Sequence, residues 1–309
     1  MTLDNNKEDI VTPWSSVGWL TYRRTYARTQ EDGTLEDWPD TVNRVVDASK
    51  NLPVPLNEED AEYLRDTMLK LKGTVAGRFL WQMGTKTVER LGLASLMNCA
   101  FTVVDNLEAF TWTFDNLMLG SGVGYNIQRE YVYKLPPVRE EFETPTRKDD
   151  ASADFIVSDT REGWVKLLDY TIRAAFKPED KHTFTYSTQL IRGKGAPIKG
   201  FGGVASGPED LVWGIEQIGN VIEQRRGKQL RPIDCLDILN IIGKIVVAGN
   251  VRRSAQIAIG DADDLQFLRA KNWALGNIPS WRQMSNNSVV CNDINLLPDE
   301  IWNGYDGSG

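Results

Sequence analysis

The sequence predicts an α/β protein preceded by a small helical region. Three observations carry this. Residues 14–75 hold helical spacings interrupted by prolines. After about residue 75, short apolar runs alternate with amphipathic helices and glycine-rich loops, the pattern of a parallel-sheet domain. The chain has 309 residues, 41% hydrophobic and 25% charged, the make-up of an ordinary globular protein. That length suits about two domains and a substantial core. No run approaches the roughly 18 uncharged apolar residues of a membrane span. The polar, acidic start MTLDNNKEDIV lacks the basic and apolar regions of a secretory signal.

Residues 1–13 read as a loose arm. In residues 41–52, Val42, Val45, Val46 and Ala48 fall at helical spacing, and Pro53 and Pro55 end the helix. Asn57 opens a second helix, with acids in its first turn, lysines in its last and Gly73 after it. The helical region is therefore set at 14–75 and the α/β part at 76–309. CAFTVV (99–104) reads as a buried strand, 107–119 as a helix, and GSGVG (120–124) as a tight loop opening a second strand. Residues 136–157 are polar and acidic and read as an exposed excursion. Asp159 and Glu162 have capping-box spacing ahead of a helix. A strand at 183–191, helices at 209–224 and 232–247, and strands in QIAIGD and SNNSVVC follow. The final NGYDGSG (303–309) is turn chemistry. It suits either a flexible tail or a domain cut short.

Lys and Arg number 35 and Asp and Glu 43, a net charge of −8. Such a chain does not wrap duplex nucleic acid by charge alone, so any phosphate must be held locally. The three cysteines, Cys99, Cys235 and Cys291, are too scattered for a disulfide framework or a zinc site, and a reducing cytoplasm is the expected setting. His182 is the only histidine, which leaves carboxylates, thiols or a cofactor for any catalysis. GSGVG, KGFGGVASGP and AGNVRRSA are loops whose backbone N–H groups can approach an anion, and Arg252 and Arg253 add positive charge. Glycines also make plain tight turns. GSGVG follows a helix, unlike the dinucleotide fingerprint. Cys99 reads as inert core or as a redox thiol that needs a second thiol. Cys235 and Cys291 read as core and His182 as solvated. Asp105 reads as a helix cap or as an acceptor for ribose hydroxyls.

Several long motifs occur in order: GWLTYRRTYAR (18–28), GRFLWQMGT (77–85), LMNCAF (96–101), GSGVGYNI (120–127), DTREGWV (159–165), PIKGFGGVASGP (197–208), IIGKIVVAGNVRRSAQIAIGD (241–261) and MSNNSVV (284–290). Together they resemble class II, adenosylcobalamin-dependent ribonucleotide reductase, in its ribonucleoside-triphosphate branch. The resemblance implies a ten-stranded α/β barrel of two five-stranded halves, with this chain supplying the helical region and about the first half-barrel. It implies reduction of a ribonucleotide to a 2′-deoxyribonucleotide by thiyl-radical chemistry. Cys99 matches the first cysteine of the reducing pair, and Asn98 a position lining the substrate ribose. Asp105 matches the acid that reads the ribose of a deoxynucleoside-triphosphate effector. Gly120, Ser121, Gly122, Val123 and Gly124 match the first effector loop. Gly249, Asn250, Val251, Arg252, Arg253 and Ser254 match the second, with Arg252 on the substrate side.

The departures are equally specific. The family's Asn-x-Cys-x-Glu motif, which carries the radical cysteine, is absent, and VVCND around Cys291 does not replace it. The resemblance places the second reducing cysteine and most of the cobalamin pocket on a C-terminal part. It implies as partners that part, a ribonucleotide, an effector and a thioredoxin-like reductant, with no resident metal, nucleic acid or membrane. The spacer between Asp105 and GSGVG is short. In the monomeric branch an insertion there imitates a dimer partner, so a homodimer through helix 107–119 is expected. A non-catalytic nucleotide-binding subunit and a truncated remnant are the alternatives.

Overall fold

The computed structural model describes residues 14–197, 204–248 and 254–304. The arm, the centre of the KGFGG loop, Gly249, Asn250, Val251, Arg252 and Arg253, and residues 305–309 lie outside them. Two compact units divide at Met97 and Asn98.

The first unit is helical. Its elements are α1 (Ser16–Thr25), α2 (Trp38–Ser49), α3 (Glu58–Leu69), α4 (Gly77–Gln82) and α5 (Lys86–Leu91). Local capping fixes their starts: Ser15 accepts from the Gly18 N–H, Asp37 and Asp40 form a capping box, and Asn57 accepts from the Asp60 N–H. Helix α2 therefore begins earlier than its apolar spacing alone suggests. Tyr22, Trp38, Val42, Val45, Val46, Ala61 and Met68 form the core. Leu80, Met83 and Leu96 pack into the same core, which is why the helical unit runs past residue 75 to Met97. Glu36 is buried and accepts hydrogen bonds from the Arg28 N–H (3.0 Å), Thr41 Oγ1 (2.7 Å) and Arg44 Nε (2.6 Å). Burial alone would raise its pKa, but the bonds from Arg44 and Thr41 outweigh it and hold the carboxyl below its ordinary value.

The second unit runs β1 (Cys99–Val103), α6 (Glu108–Met118), β2 (Gly122–Asn126), α7 (Arg129–Val132), β3 (Thr146–Arg147), β4 (Phe155–Ile156), α8 (Arg161–Phe176), β5 (Thr185–Ser187), α9 (Glu209–Glu223), α10 (Pro232–Ala248), β6 (Gln256–Asp261), α11 (Leu265–Leu268), β7 (Ser285–Val290) and α12 (Asp299–Gly304). Strands β1, β2, β6 and β7 form a four-stranded sheet in that order, and every pairing is parallel. Helix α10 is apolar nearly all round, and residues 232–243 are buried, as befits a helix at the centre of a core. Its polar exceptions are mostly paired. Asp234 pairs with Arg231 and Arg225, Asp237 with Arg282 and Trp281 Nε1, and the Asn240 amide donates to the Leu236 carbonyl, leaving Asn240 Oδ1 without a partner.

Residues 136–157 differ from the exposed excursion expected. Val138, Phe142 and Val157 are buried, and β3 and β4 flank β5 in a second parallel sheet. The polar residues face outward while a sparse apolar set packs inward. The start of the segment meets the turn after α9 in a clasp: the Val138 N–H donates to the Lys228 carbonyl (3.0 Å) and the Gly227 N–H to the Val138 carbonyl (2.9 Å). Thr160, rather than Asp159, caps α8 by accepting from the Gly163 N–H, and Asp159 pairs with Arg192. Strand β5 spans only three residues of the longer run expected.

Two outcomes follow. Glu36→Ala removes the carboxylate that neutralises Arg44 and leaves its guanidinium only the Leu80 and Met83 carbonyls, and urea unfolding should show a loss of about 3–5 kcal/mol. The Lys181 and Thr185 hydrogen bonds lower the Asp154 pKa to about 2. Its stabilisation is therefore complete above an unfolded pKa of about 4 and disappears as pH falls towards the folded value. Asp154→Asn should lose less Tm than the unaltered chain between about pH 4 and 2, and identical losses would refute the assignment.

Candidate functional site

The parallel register sets the site. Cys99 pairs with Gly122, Phe101 with Gly124 and Val103 with Asn126. Gly124 pairs with Ile257, and Ile257 with Asn286. Paired residues share a face, so the sheet has two distinct sides. One side carries Val123, Tyr125, Ala258 and Ser285, all buried, with α6 and α10 packed on the sheet. The other carries Cys99, Phe101, Ile257 and Val290, all exposed. Strand β1 is thus half-exposed, not buried as its apolar run suggested. Parallel sheets are ordinarily covered on both faces; among the described residues this one is covered on one.

Cys99 stands at the amino end of β1 with its thiol on the uncovered face. It is not the inert core cysteine its apolar context allowed. Asn98 beside it is exposed, and its carbonyl accepts from the Gly122 N–H (2.8 Å). GSGVG behaves differently from a phosphate cradle. Gly120 has φ +84° and ends α6 in a Schellman motif, with Gly120 N–H donating to Leu117 and Ser121 N–H to Asn116. Gly122, Val123 and Gly124 already belong to β2, and the N–H groups of Gly122 and Val123 go to Asn98 and Ala255. The N–H groups of residues 120–123 are therefore consumed by backbone bonds.

Ser254 immediately precedes Ala255 at this same end of the sheet. Gly249, Asn250, Val251, Arg252 and Arg253 lead into it but lie outside the described residues. Asp105 is at the other end, beyond the carboxyl end of β1 and about 20 Å from Cys99 at strand rise. The structure therefore separates Asp105 from GSGVG. Asn106, not Asp105, caps α6 by accepting from the Ala109 N–H, and its amide donates to Asp105 Oδ1 (2.9 Å). Sequence reasoning missed the neighbours at this end. Asp261 accepts from the Arg129 N–H (2.8 Å), Arg129 Nε (3.1 Å) and Gln128 Nε2 (3.0 Å). Partial burial opposes ionisation there, but these bonds hold the Asp261 carboxyl below its usual value. The missed signal was the polar run Asn126-Ile127-Gln128-Arg129 straight after an apolar strand.

Cys235 is buried, and burial pushes its thiol well up. Cys291, expected in the core, is exposed past the end of β7 with its thiol donating to the Asp293 carbonyl (2.8 Å). His182 is exposed as expected. Among the described residues no cluster of His, Cys, Asp and Glu could hold a metal ion, and no helix is long and apolar enough to cross a membrane.

The sequence profile of the ribonucleotide reductase alpha domain matches residues 2–85, and that of the B12-dependent ribonucleotide reductase insertion domain matches 138–222. The fold superposes on a crystal structure of a B12-dependent, class II ribonucleotide reductase with a TM-score of 0.76 and 33% identity, over 89% of this chain. The chain belongs to the class II ribonucleotide reductase family. Among class II relatives, the adenosylcobalamin-dependent ribonucleoside-triphosphate reductase of Lactobacillus acidophilus is 35% identical over 94% of this chain. That of Lactobacillus leichmannii is 33% identical over 98%. The class II chain described here spans about half the length of these relatives, 47% and 48% respectively. The insertion-domain match lies beyond GSGVG, outside the short spacer after Asp105 on which a homodimer through helix 107–119 is expected. One face of α6 packs against α8 and α10.

Gly120→Ala forces a side chain into the left-handed region and should lower stability by about 1–2 kcal/mol in denaturant melts.

Proposed function

We propose that this chain is the N-terminal part of an adenosylcobalamin-dependent ribonucleoside-triphosphate reductase, with Cys99 as a reducing thiol. The observation that carries the reading is Cys99 on the open face of the parallel sheet, within a fold matched at 33% identity to a class II reductase. A second chain segment covers that face and completes the barrel, bringing the radical cysteine.

Cys99 protonates the departing 2′-hydroxyl, which leaves as water, and a hydrogen replaces it at C2′. Two thiols surrender two electrons and two protons as a disulfide forms. Disulfide geometry needs Cα atoms within about 7 Å. Cys291 is three strands away at the opposite end of the sheet, more than about 20 Å from Cys99, and Cys235 is buried in α10 on the covered side. The second thiol therefore comes from the other segment, and a thioredoxin-like dithiol resets the pair. Asn98 lines the ribose. Arg252, with Gly249, Asn250, Val251, Arg253 and Ser254, links the substrate to a deoxynucleoside-triphosphate effector, and Asp105 holds the effector ribose at the carboxyl end of the sheet. The protein acts in the cytoplasm.

A cavity of about 610 Å³ is lined by α9, α10 and α11 on the covered side of the sheet, away from the thiol, so its residues do not fit a cofactor that acts at Cys99.

Reconstitution with a polypeptide bearing Asn-x-Cys-x-Glu, plus adenosylcobalamin and reductant, should yield deoxynucleotide. Cys99→Ser should cut that yield by on the order of 10²-fold or more. Turnover by the 309-residue chain alone, or full activity of the serine variant, would refute the reading.

A further inference from the structure

The residues on the open face fall in rows. The row of Cys99 is nearly bare, because Gly122 has no side chain and exposed Ala255 beyond it has only a methyl. The nearest atoms a Cβ placed on Gly122 would meet are the Ala255 Cβ at 3.5 Å and the carbonyl oxygens of Ala255 and Asn98 at 3.7 Å, all in ordinary contact. The next row is a ridge. A Cβ placed on Gly124 would lie 2.7 Å from Phe101 Cδ2 and 3.2 Å from Ile257 Cγ2. The Phe101 ring therefore leans across β2 towards Ile257, over the bare backbone of Gly124. Phe101 is 54% and Ile257 39% exposed, so the ridge stands free beside the thiol. The recess it bounds is about 10 Å across two strand spacings and about 7 Å along the strand.

We propose that Phe101 is a specificity-determining residue of the thiol site. With Ile257 it forms the apolar wall against which the sugar of a ribonucleotide seats, over Gly122 and Ala255 and beside the Cys99 sulfur. Small-molecule sites combine such apolar walls with a few polar groups; here the Cys99 thiol supplies one. Gly124 is the positioning residue that admits the ring. The assignment rests on the reading of Cys99 as the reductase thiol.

The test uses the 309-residue chain with Cys291→Ser, assembled with the polypeptide bearing Asn-x-Cys-x-Glu that covers this face, and reads Cys99 by mass spectrometry of its own peptide. Its alkylation is followed with iodoacetamide and with bulkier N-phenylmaleimide, with and without CTP. Phe101→Ala should raise the maleimide-to-iodoacetamide rate ratio several-fold, Gly124→Ala should shift it by displacing the ring, and Phe101→Leu should stay near the starting ratio. CTP should slow alkylation, and Phe101→Ala should raise the half-protecting concentration by about tenfold, with Phe101→Tyr restoring it. An unchanged reagent ratio in Phe101→Ala overturns the wall. A changed ratio with unchanged CTP protection overturns its part in the seat. A changed ratio with no CTP protection in any variant, the starting chain included, leaves a wall but overturns the nucleotide reading beneath it and the ligand assigned here.

Discussion

Burial of α10 between the sheet and α9 is the contact that orders the α/β unit. A parallel sheet exposes two apolar faces, and helices in its crossovers must cover them. Helix α10 is apolar around nearly its whole circumference, so it is stable only when enclosed. Enclosing it fixes which side of β2 and β6 turns inward. Tyr125, Gln256 and Asn240 then meet beneath the sheet, where Gln256 Nε2 donates to the Leu239 carbonyl (2.9 Å) and the Tyr125 hydroxyl lies 3.3 Å from Gln256 Oε1. A register slip by one residue would invert every strand position. It would bury Cys99 and eject Tyr125. The inward face thus decides the outward one.

What could be read from the sequence follows from how local each cause is. The helices after Asn57 and Pro208 and at Pro232 stand where expected, because caps, acidic first turns and apolar spacing act within a few residues. Strand β1 was located correctly, but its burial was not, because burial depends on what lies across the sheet. The excursion at 136–157 was misread for the same reason. Val138, Phe142 and Val157 are too sparse to make a period, yet each is buried by long-range contact. Cys291 ends an apolar run, but the chain turns away from the core one residue before it.

The candidate site shows the same limit more sharply. Cys99, Gly122 and Ala255 fall in one row because three strands share one register, while Asp105 lies at the far end of the first. Spacing along the chain puts Asp105 close to GSGVG; the intervening helix α6 returns the chain to the opposite end of the sheet. Glycines in GSGVG suggested backbone donors for an anion. Their donors serve a helix stop and a strand ladder instead, and the missing side chains matter for what they leave open above the sheet.

The clasp between Val138 and the Arg226–Lys228 turn has an evolutionary meaning. It closes the stretch 139–226, α8 and α9 included, at its base. Loop-closure entropy changes by only about 0.6 kcal/mol for each doubling of a loop, and a stapled base shields the pairing of β2 with β6 even from that. Behind the clasp α8 and α9 pack on α6 and α10, so only the connections around β3, β4 and β5 can lengthen or shrink among related enzymes while the thiol stays in register.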